Sequence, residues 1–351
     1  MPLRPARRRG RRPVRAARPA RAANAARPAR VASAAHPVCV AHPVRVAYPV
    51  RVAYPVRVAR PVRVARAALV ARAALVALAT ATAAALGAAP PAAAADTWTE
   101  IGSDRADPLT ESQGLTSVEM PAGSANRYTG IGTIPLGVSI RGWNHVGDPD
   151  ASYDGHYIEP YQRDSGTSKM FRVQAPGGAW SEYVHTLGSG EALNNSWVAI
   201  TPGGQWMLTG EWGTMTRLLV LPTPGVNPAA SPSANLPQVS TVRLDHAVRD
   251  VQGCDFTGPT TLLCSSDDPE GTLFGIAKPL LRVDLSAEPG TSDVTGHVTA
   301  LRALPLRSSC SGAFETEGID YDRRTGTLRV IVVSPGVCVL TDSKTYRFTN
   351  G

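Results

Sequence analysis

Six polar residues recur at one kind of position, next to the start of a short apolar run: Gln113, His145, Asn194, Asn195, Gln252 and Glu317. If those runs are neighbouring strands, the amide, imidazole and carboxyl groups converge on one mouth. A few placed polar groups of this kind suffice to hold a cation, a sugar or a peptide end. The plainer alternative is that they line a watery channel and satisfy exposed strand ends. Glu317 and His145 are the candidates for general acid–base work, one facing the other across that mouth. A second set of acids lies close behind: Asp148, Asp150, Asp255 and Asp320. Hard oxygen ligands at this density suit Ca²⁺, which takes six to eight of them. The stretch DPDASYDG (Asp148–Gly155) has the look of a calcium loop, but Tyr153 stands where an EF-hand needs its glycine. An Asx turn is the competing reading.

Glu317 and Asp320 are three apart, and on a strand such residues point to opposite faces. Direct pairing between them is therefore not expected. GEW (Gly210–Trp212) sets a carboxylate beside an indole, as glycan sites do and as a strand with a core Trp also does. The sequence has no G-x-S-x-G, H-E-x-x-H, P-loop or Rossmann glycine fingerprint. The histidines after residue 95 are scattered and are expected mostly at the surface.

The elements that must position these residues form a repeat. FETEGIDYDRRTGTLRVIVVSP (Phe314–Pro335) reads as a small residue, an alternating strand, an Asp–Gly turn and an apolar strand. NNSWVAITPGGQWMLTGEW (Asn194–Trp212) and VQGCDFTGPTTLLCSSDD (Val251–Asp268) repeat that order, and a diverged copy starts at RGWNHVGDPD. Units begin near Gly114, Trp143, Ser196, Gly253 and Gly318, at uneven intervals of 29, 53, 57 and 65 residues. Short strands, glycine turns and no helical period predict an all-β fold, a β-propeller with about five blades of three to four antiparallel strands. TWTEIG (Thr97–Gly102) would close the ring against the last blade. A β-sandwich with long loops is the alternative. The Pro- and Ser-rich stretch Pro222–Ser240 is read as a surface excursion between strands.

The formal net charge of +8 misleads, because it is unevenly placed. Residues 1–95 hold eighteen Arg and no Lys, Asp or Glu. The remaining 256 residues carry 18 Lys plus Arg against 28 Asp plus Glu, a net of −10, which disfavours a nucleic-acid partner. Residues 1–65 are Arg/Ala/Pro/Val sequence, largely hexads such as YPVRVA, that cannot bury a core. They are expected to be a disordered basic arm, or DNA repeats read upstream of a start at Val62 or Val64. Residues 66–95 have the charged, apolar and small-residue order of a signal peptide, with cleavage expected after Ala95. Residues 96–351 are then a secreted propeller domain, extracellular, without a stable membrane span and monomeric.

Four cysteines remain in that domain, and four allow three connectivities. A hairpin pairing Cys254 with Cys264 leaves a five-residue loop, Thr257 to Thr261, and assigns Cys310 to Cys338. Zinc is not expected at this spacing.

Some of these motifs are familiar. TEGIDYD (Thr316–Asp322) resembles the blade opening of phytase-like esterase propellers and of calcium-activated nucleotidases, the latter five-bladed. SQGL (Ser112–Leu115) resembles the opening of plant-type glutaminyl cyclases. As a whole, residues 96–351 resemble a class of secreted actinobacterial propeller-like proteins, through GWNHVGDPD (Gly142–Asp150) and the two segments Asn194–Trp212 and Val251–Asp268. That resemblance implies a fold and a compartment and no activity. The expected function is binding of a small polar ligand or cell-envelope component at the channel mouth. The alternative is a calcium-dependent phosphoester or ester hydrolase with Glu317 as base. A cyclase-like transferase rests on Ser112–Leu115 alone.

Overall fold

The computed structural model describes residues 97–351 except 121, 122, 164, 195 and 196. The hexad segment, the signal-peptide segment and Asn195 lie outside the described residues.

Nineteen strands run through the described residues. β1 (Trp98–Arg105), β2 (Gly114–Met120) and β3 (Gly123–Thr129) come first. A second group holds β4 (His145–Val146), β5 (Asp150–Ala151), β6 (Tyr157–Gln162), β7 (Ser168–Gln174) and β8 (Trp180–Thr186). The third holds β9 (Ala199–Ile200), β10 (Trp206–Thr209), β11 (Thr214–Pro222) and β12 (Ser240–Arg249). The fourth holds β13 (Val251–Gly258), β14 (Thr261–Ser266), β15 (Pro279–Leu285) and β16 (Val294–Ala303). The last holds β17 (Glu315–Asp322), β18 (Thr327–Val333) and β19 (Lys344–Asn350).

The strands meander antiparallel from β2 to β3, β6 to β8, β9 to β12, β13 to β16 and β17 to β19, with β4 and β5 both pairing with β6. The innermost strands then touch one another in a closed cycle: β2 on β5, β5 on β9, β9 on β13, β13 on β17, and β17 back on β2. A ring of radially stacked meanders is a propeller-like fold. β1 pairs with β19, Trp98 opposite Asn350, so the N-terminal strand completes the last sheet. The group β2–β3 has only two strands, fewer than the three or four expected. Two groups are also joined at their outer edges, where β12 runs parallel to β16.

The apolar runs of the sequence follow from this stacking. A strand held between two neighbouring sheets buries both faces, so its residues alternate between two cores rather than between core and water. On β18, Leu328, Val330 and Val332 face one cluster with Ile319 and Phe348, while Ile331 and Val333 join Leu115 in another. On β11, Leu218 and Val220 pack with Trp197 and Leu208, whereas Leu219 and Leu221 pack with Phe171 and Tyr183. Burying such a side chain contributes about 1.5–3 kcal/mol.

The hairpin β13–β14 keeps the expected pairing through Gly253–Ser265, Cys254–Cys264, Asp255–Leu263 and Phe256–Leu262. A register shift between Phe256 and Gly258 then shortens the loop to Pro259 and Thr260, instead of the five residues expected. Disulfides join Cys254 to Cys264 and Cys310 to Cys338. Pro222–Ser240 is more than a surface excursion. Leu236 is fully buried and donates its N–H to Val184 O on β8, and Asn235 Oδ1 accepts from Thr186 N–H, so the segment straps one sheet to the next. No helix among the described residues is long and apolar enough to cross a membrane.

Candidate functional site

In an antiparallel meander the start of the first strand and the end of the second share one rim. That rim surrounds a cavity of about 530 Å³ lined by Gln113, His145, Gln162, Leu193, Trp212, Gln252, Asp267, Glu315 and Glu317. Four of the six residues expected at the mouth are here: Gln113, His145, Gln252 and Glu317. They come from the entries to β2, β4, β13 and β17. Asn194 is buried instead, with its amide donating to Glu211 O at 3.3 Å, and Asn195 is outside the described residues.

Five further lining residues were not among those expected at the mouth, although the sequence marks Trp212 as a candidate glycan-site indole. Gln162 ends β6 and Asp267 follows β14, so both sit where a second strand leaves the rim. Trp212, in the turn after β10, is half-exposed rather than part of the inter-sheet core. Glu315 lies two residues before Glu317 on β17 and therefore on the same side. Leu193 arrives on the loop before β9. The available signal was the residue after each second strand, as informative as the residue before each first strand.

Glu317 is the central group. Its side chain is buried against the ring yet faces the cavity, and Oε1 accepts a long hydrogen bond of 3.4 Å from Gln113 Nε2. Burial, then Glu315, then Asp267 push its carboxyl well above the usual range, while Lys278 opposes them. Lys278 is itself buried and ion-paired with Asp267, whose carboxylate also accepts from the N–H (2.7 Å) and hydroxyl (3.1 Å) of Thr316. Glu317 and Asp320 act at different levels of β17, since Asp320 pairs with Arg329 and accepts from Ser117 N–H at 2.6 Å.

Below the mouth the axis is filled by Asp148, which is fully buried. Its Oδ1 accepts from Leu115 N–H and its Oδ2 from Ile319 N–H, both at 3.0 Å. The other aspartates thought of as cation ligands are engaged in the same way. Asp150 accepts from Ile200 N–H at 2.6 Å, and Asp255 from Tyr321 N–H at 2.7 Å. Asp148, Asp150, Asp255 and Asp320 thus join one sheet to another, each with at least one oxygen on a backbone N–H of a different strand, while Arg323 faces Asp255 and Arg329 pairs with Asp320. Among the described residues no group of three or more His, Cys, Asp or Glu side chains is arranged to hold a metal ion. The acid density that suggested a calcium shell has this mortar role as its structural expression. The turn after Asp150 is a local polar turn, with His156 N–H on Ser152 Oγ at 3.1 Å and Ser152 Oγ on Asp154.

The histidines divide differently from expectation. His246 and His297 are exposed, but His185 is buried, its Nδ1 2.7 Å from Leu236 O and its Nε2 2.9 Å from Glu191.

No protein-family model matches this chain, and no curated protein does. Among solved structures, a luciferin-regenerating enzyme aligns at 10% identity with a TM-score of 0.35, over 64% of this chain and 66% of that one. This chain therefore spans just under two thirds of that protein. A chain of a mitotic checkpoint complex aligns at 9% identity with a TM-score of 0.31, over 78% of this chain and 98% of its own. Neither likeness bears on chemistry, and the fold stands on the strand topology described above.

Proposed function

We propose that this protein is a secreted propeller of five blades whose rim cavity binds a small polar ligand or a cell-envelope component. One observation carries the reading: four separate strand entries deliver Gln113, His145, Gln252 and Glu317 to a single cavity with an exposed indole at its edge. Polar groups converging from separate rigid strands on one concavity are what a small-ligand site requires. Export is supported by the two disulfides, which persist in oxidising compartments.

The test is a ligand screen by thermal shift, repeated on Q113A and Q252A. A ligand at one hundred times its Kd stabilises by about 2.7 kcal/mol. That corresponds to a shift of roughly 5–10 °C in a domain of this size. A shift that survives both substitutions would put the ligand elsewhere.

The second reading, a calcium-dependent phosphoester or ester hydrolase, keeps one supporting observation. The buried Glu317 carboxyl faces the same cavity as His145, where it could carry a proton. Its calcium would need ligands other than Asp148, Asp150, Asp255 and Asp320. Melting the protein in excess Ca²⁺ and again in EDTA decides whether that reading continues. Equal melting temperatures end it.

A further inference from the structure

The cavity is unbalanced in charge, and the imbalance names a ligand class. Three carboxyl groups line it, Asp267, Glu315 and Glu317, and none of the described lining residues is Lys or Arg. The ammonium of Lys278 lies behind the wall and is spent on Asp267, to whose carboxylate it is paired and to whose carbonyl it donates at 3.4 Å. Among the described residues, Glu315 and Glu317, two apart on β17, have no such cationic partner. Glu317 is more than nine-tenths buried, and among the described residues its carboxyl receives one hydrogen bond, the 3.4 Å contact from Gln113. A carboxyl group held this way gains from a cation delivered by the ligand, because burial has removed the water that would otherwise solvate its charge.

Trp212 adds an independent requirement. Its indole is 53% exposed at the rim, on the turn after β10. An exposed aromatic face beside carboxylates favours organic cations, which it attracts through the ring quadrupole. A metal ion would not use the indole; a neutral sugar also stacks on indoles and donates to carboxylates, and so is the competitor in the titration.

Resting on the binding reading above, we infer that the cavity takes a small organic cation, its ammonium group held between Trp212 and the Glu315–Glu317 pair. Gln113, Gln162 and Gln252 then supply hydrogen bonds to the ligand's polar remainder, and His145 closes the opposite wall.

The experiment is calorimetric titration of the disulfide-intact protein with choline and with 3,3-dimethylbutan-1-ol, its uncharged isostere, alongside glucose as a neutral polyol. Choline is expected to bind at least about tenfold more tightly than the isostere. Both E315Q and E317Q should lower choline affinity by about that factor while leaving the isostere's unchanged. Because Glu317 is buried, the melting temperature of E317Q is measured too; the exposed sites E315Q and W212L carry the test if that variant unfolds. Equal affinity for choline and its isostere, or choline binding indifferent to E315Q and W212L, overturns the inference. Glucose binding that Q252A abolishes, with no choline binding, overturns it and leaves the cavity as a ligand site. Binding of none of the three overturns the inference and leaves the binding reading to the ligand screen.

Discussion

Asp148 and Gly318, 170 residues apart in the chain, share a space with no room for a methyl group. A Cβ built on Gly318 would stand 2.1 Å from Asp148 Oδ1 and 2.5 Å from the Cα of Gly114. A Cβ on Gly253 would reach Asp148 Oδ2 at 2.4 Å. Three first strands therefore close on one carboxylate, and the glycines are there because of that approach. G318A should cost about 1–3 kcal/mol or more through overpacking, read as a lowered urea midpoint at unchanged slope. G137A is the internal control. Its Cβ would meet nothing within 4 Å, and it lies in the short helix Leu136–Ser139, so stability should hold or rise by about 0.5 kcal/mol.

The buried aspartates should make stability fall as pH rises above about 4. Burial lifts the Asp150 carboxyl to about 6, opposed first by Arg323 and then by the Ile200 N–H. A carboxyl whose folded value is raised holds its proton more tightly when folded. Its contribution is therefore full below the unfolded value near 3.8 and is lost as pH rises through about 6. Asp148, Asp255 and Glu317 are raised for the same leading reason, burial, and act with the same sign. Melting temperature should decline between pH 4 and pH 7, and D150N should flatten the part of that decline near pH 6. A flat profile in the parent protein would mean the carboxylates are better solvated than their burial implies.

Much of the architecture was legible because stacking both faces of a strand leaves a mark on the sequence. TLRVIVV and RLLVLP are continuous apolar runs, and each divides its side chains between two cores. The Cys254–Cys264 pairing was legible because a hairpin has one register that brings both thiols together. The role of Asp148 was not. Nothing local distinguishes an aspartate that binds a cation from one that caps backbone amides 33 and 171 residues away. Gln162 and Asp267 were missed because the rim is shared by the ends of two strands, and only the first strand's entry was considered; Glu315 was missed because a single residue was taken from the entry to β17. The strap Asn235–Leu236 was hidden in Pro- and Ser-rich sequence that reads as loop by composition alone.

The two disulfides should differ in worth. Chain-entropy arguments give about 2.7 kcal/mol for a loop of ten residues and about 3.6 kcal/mol for one of twenty-eight. Those are the separations of Cys254–Cys264 and Cys310–Cys338. The pair C310A/C338A should therefore lower stability more than C254A/C264A, by about 1 kcal/mol in urea unfolding. The longer loop also runs into Glu315, so its loss should loosen the cavity and weaken any ligand bound there. The reverse order of stability would show that the hairpin bridge constrains more than its own loop.

Glu191 holds the loop that brings Leu193 to the cavity, and it does so against buried charge. Lys169 is fully buried, its Nζ 2.9 Å from Glu191 Oε1 and donating to Gly210 O at 2.7 Å. The other carboxylate oxygen lies 2.9 Å from His185 Nε2 and accepts from Gly188 N–H at the same distance. Burial alone would raise the Glu191 carboxyl, but His185, then Lys169, outweigh it and hold it near 2. A carboxyl so lowered contributes above its unfolded value near 4.5 and loses that contribution as pH falls towards 2. E191Q keeps the shape and removes the charge, leaving an uncompensated ammonium in the interior. Breaking one side of such a pair costs about 3–5 kcal/mol. Removing both charges in K169M/E191Q should cost less than the two single changes added together, since no unpaired ion remains. Additive losses in that cycle would mean that Lys169 is stabilised by Gly210 and not by Glu191, and that the loop is fixed by the His185 and Gly188 contacts instead.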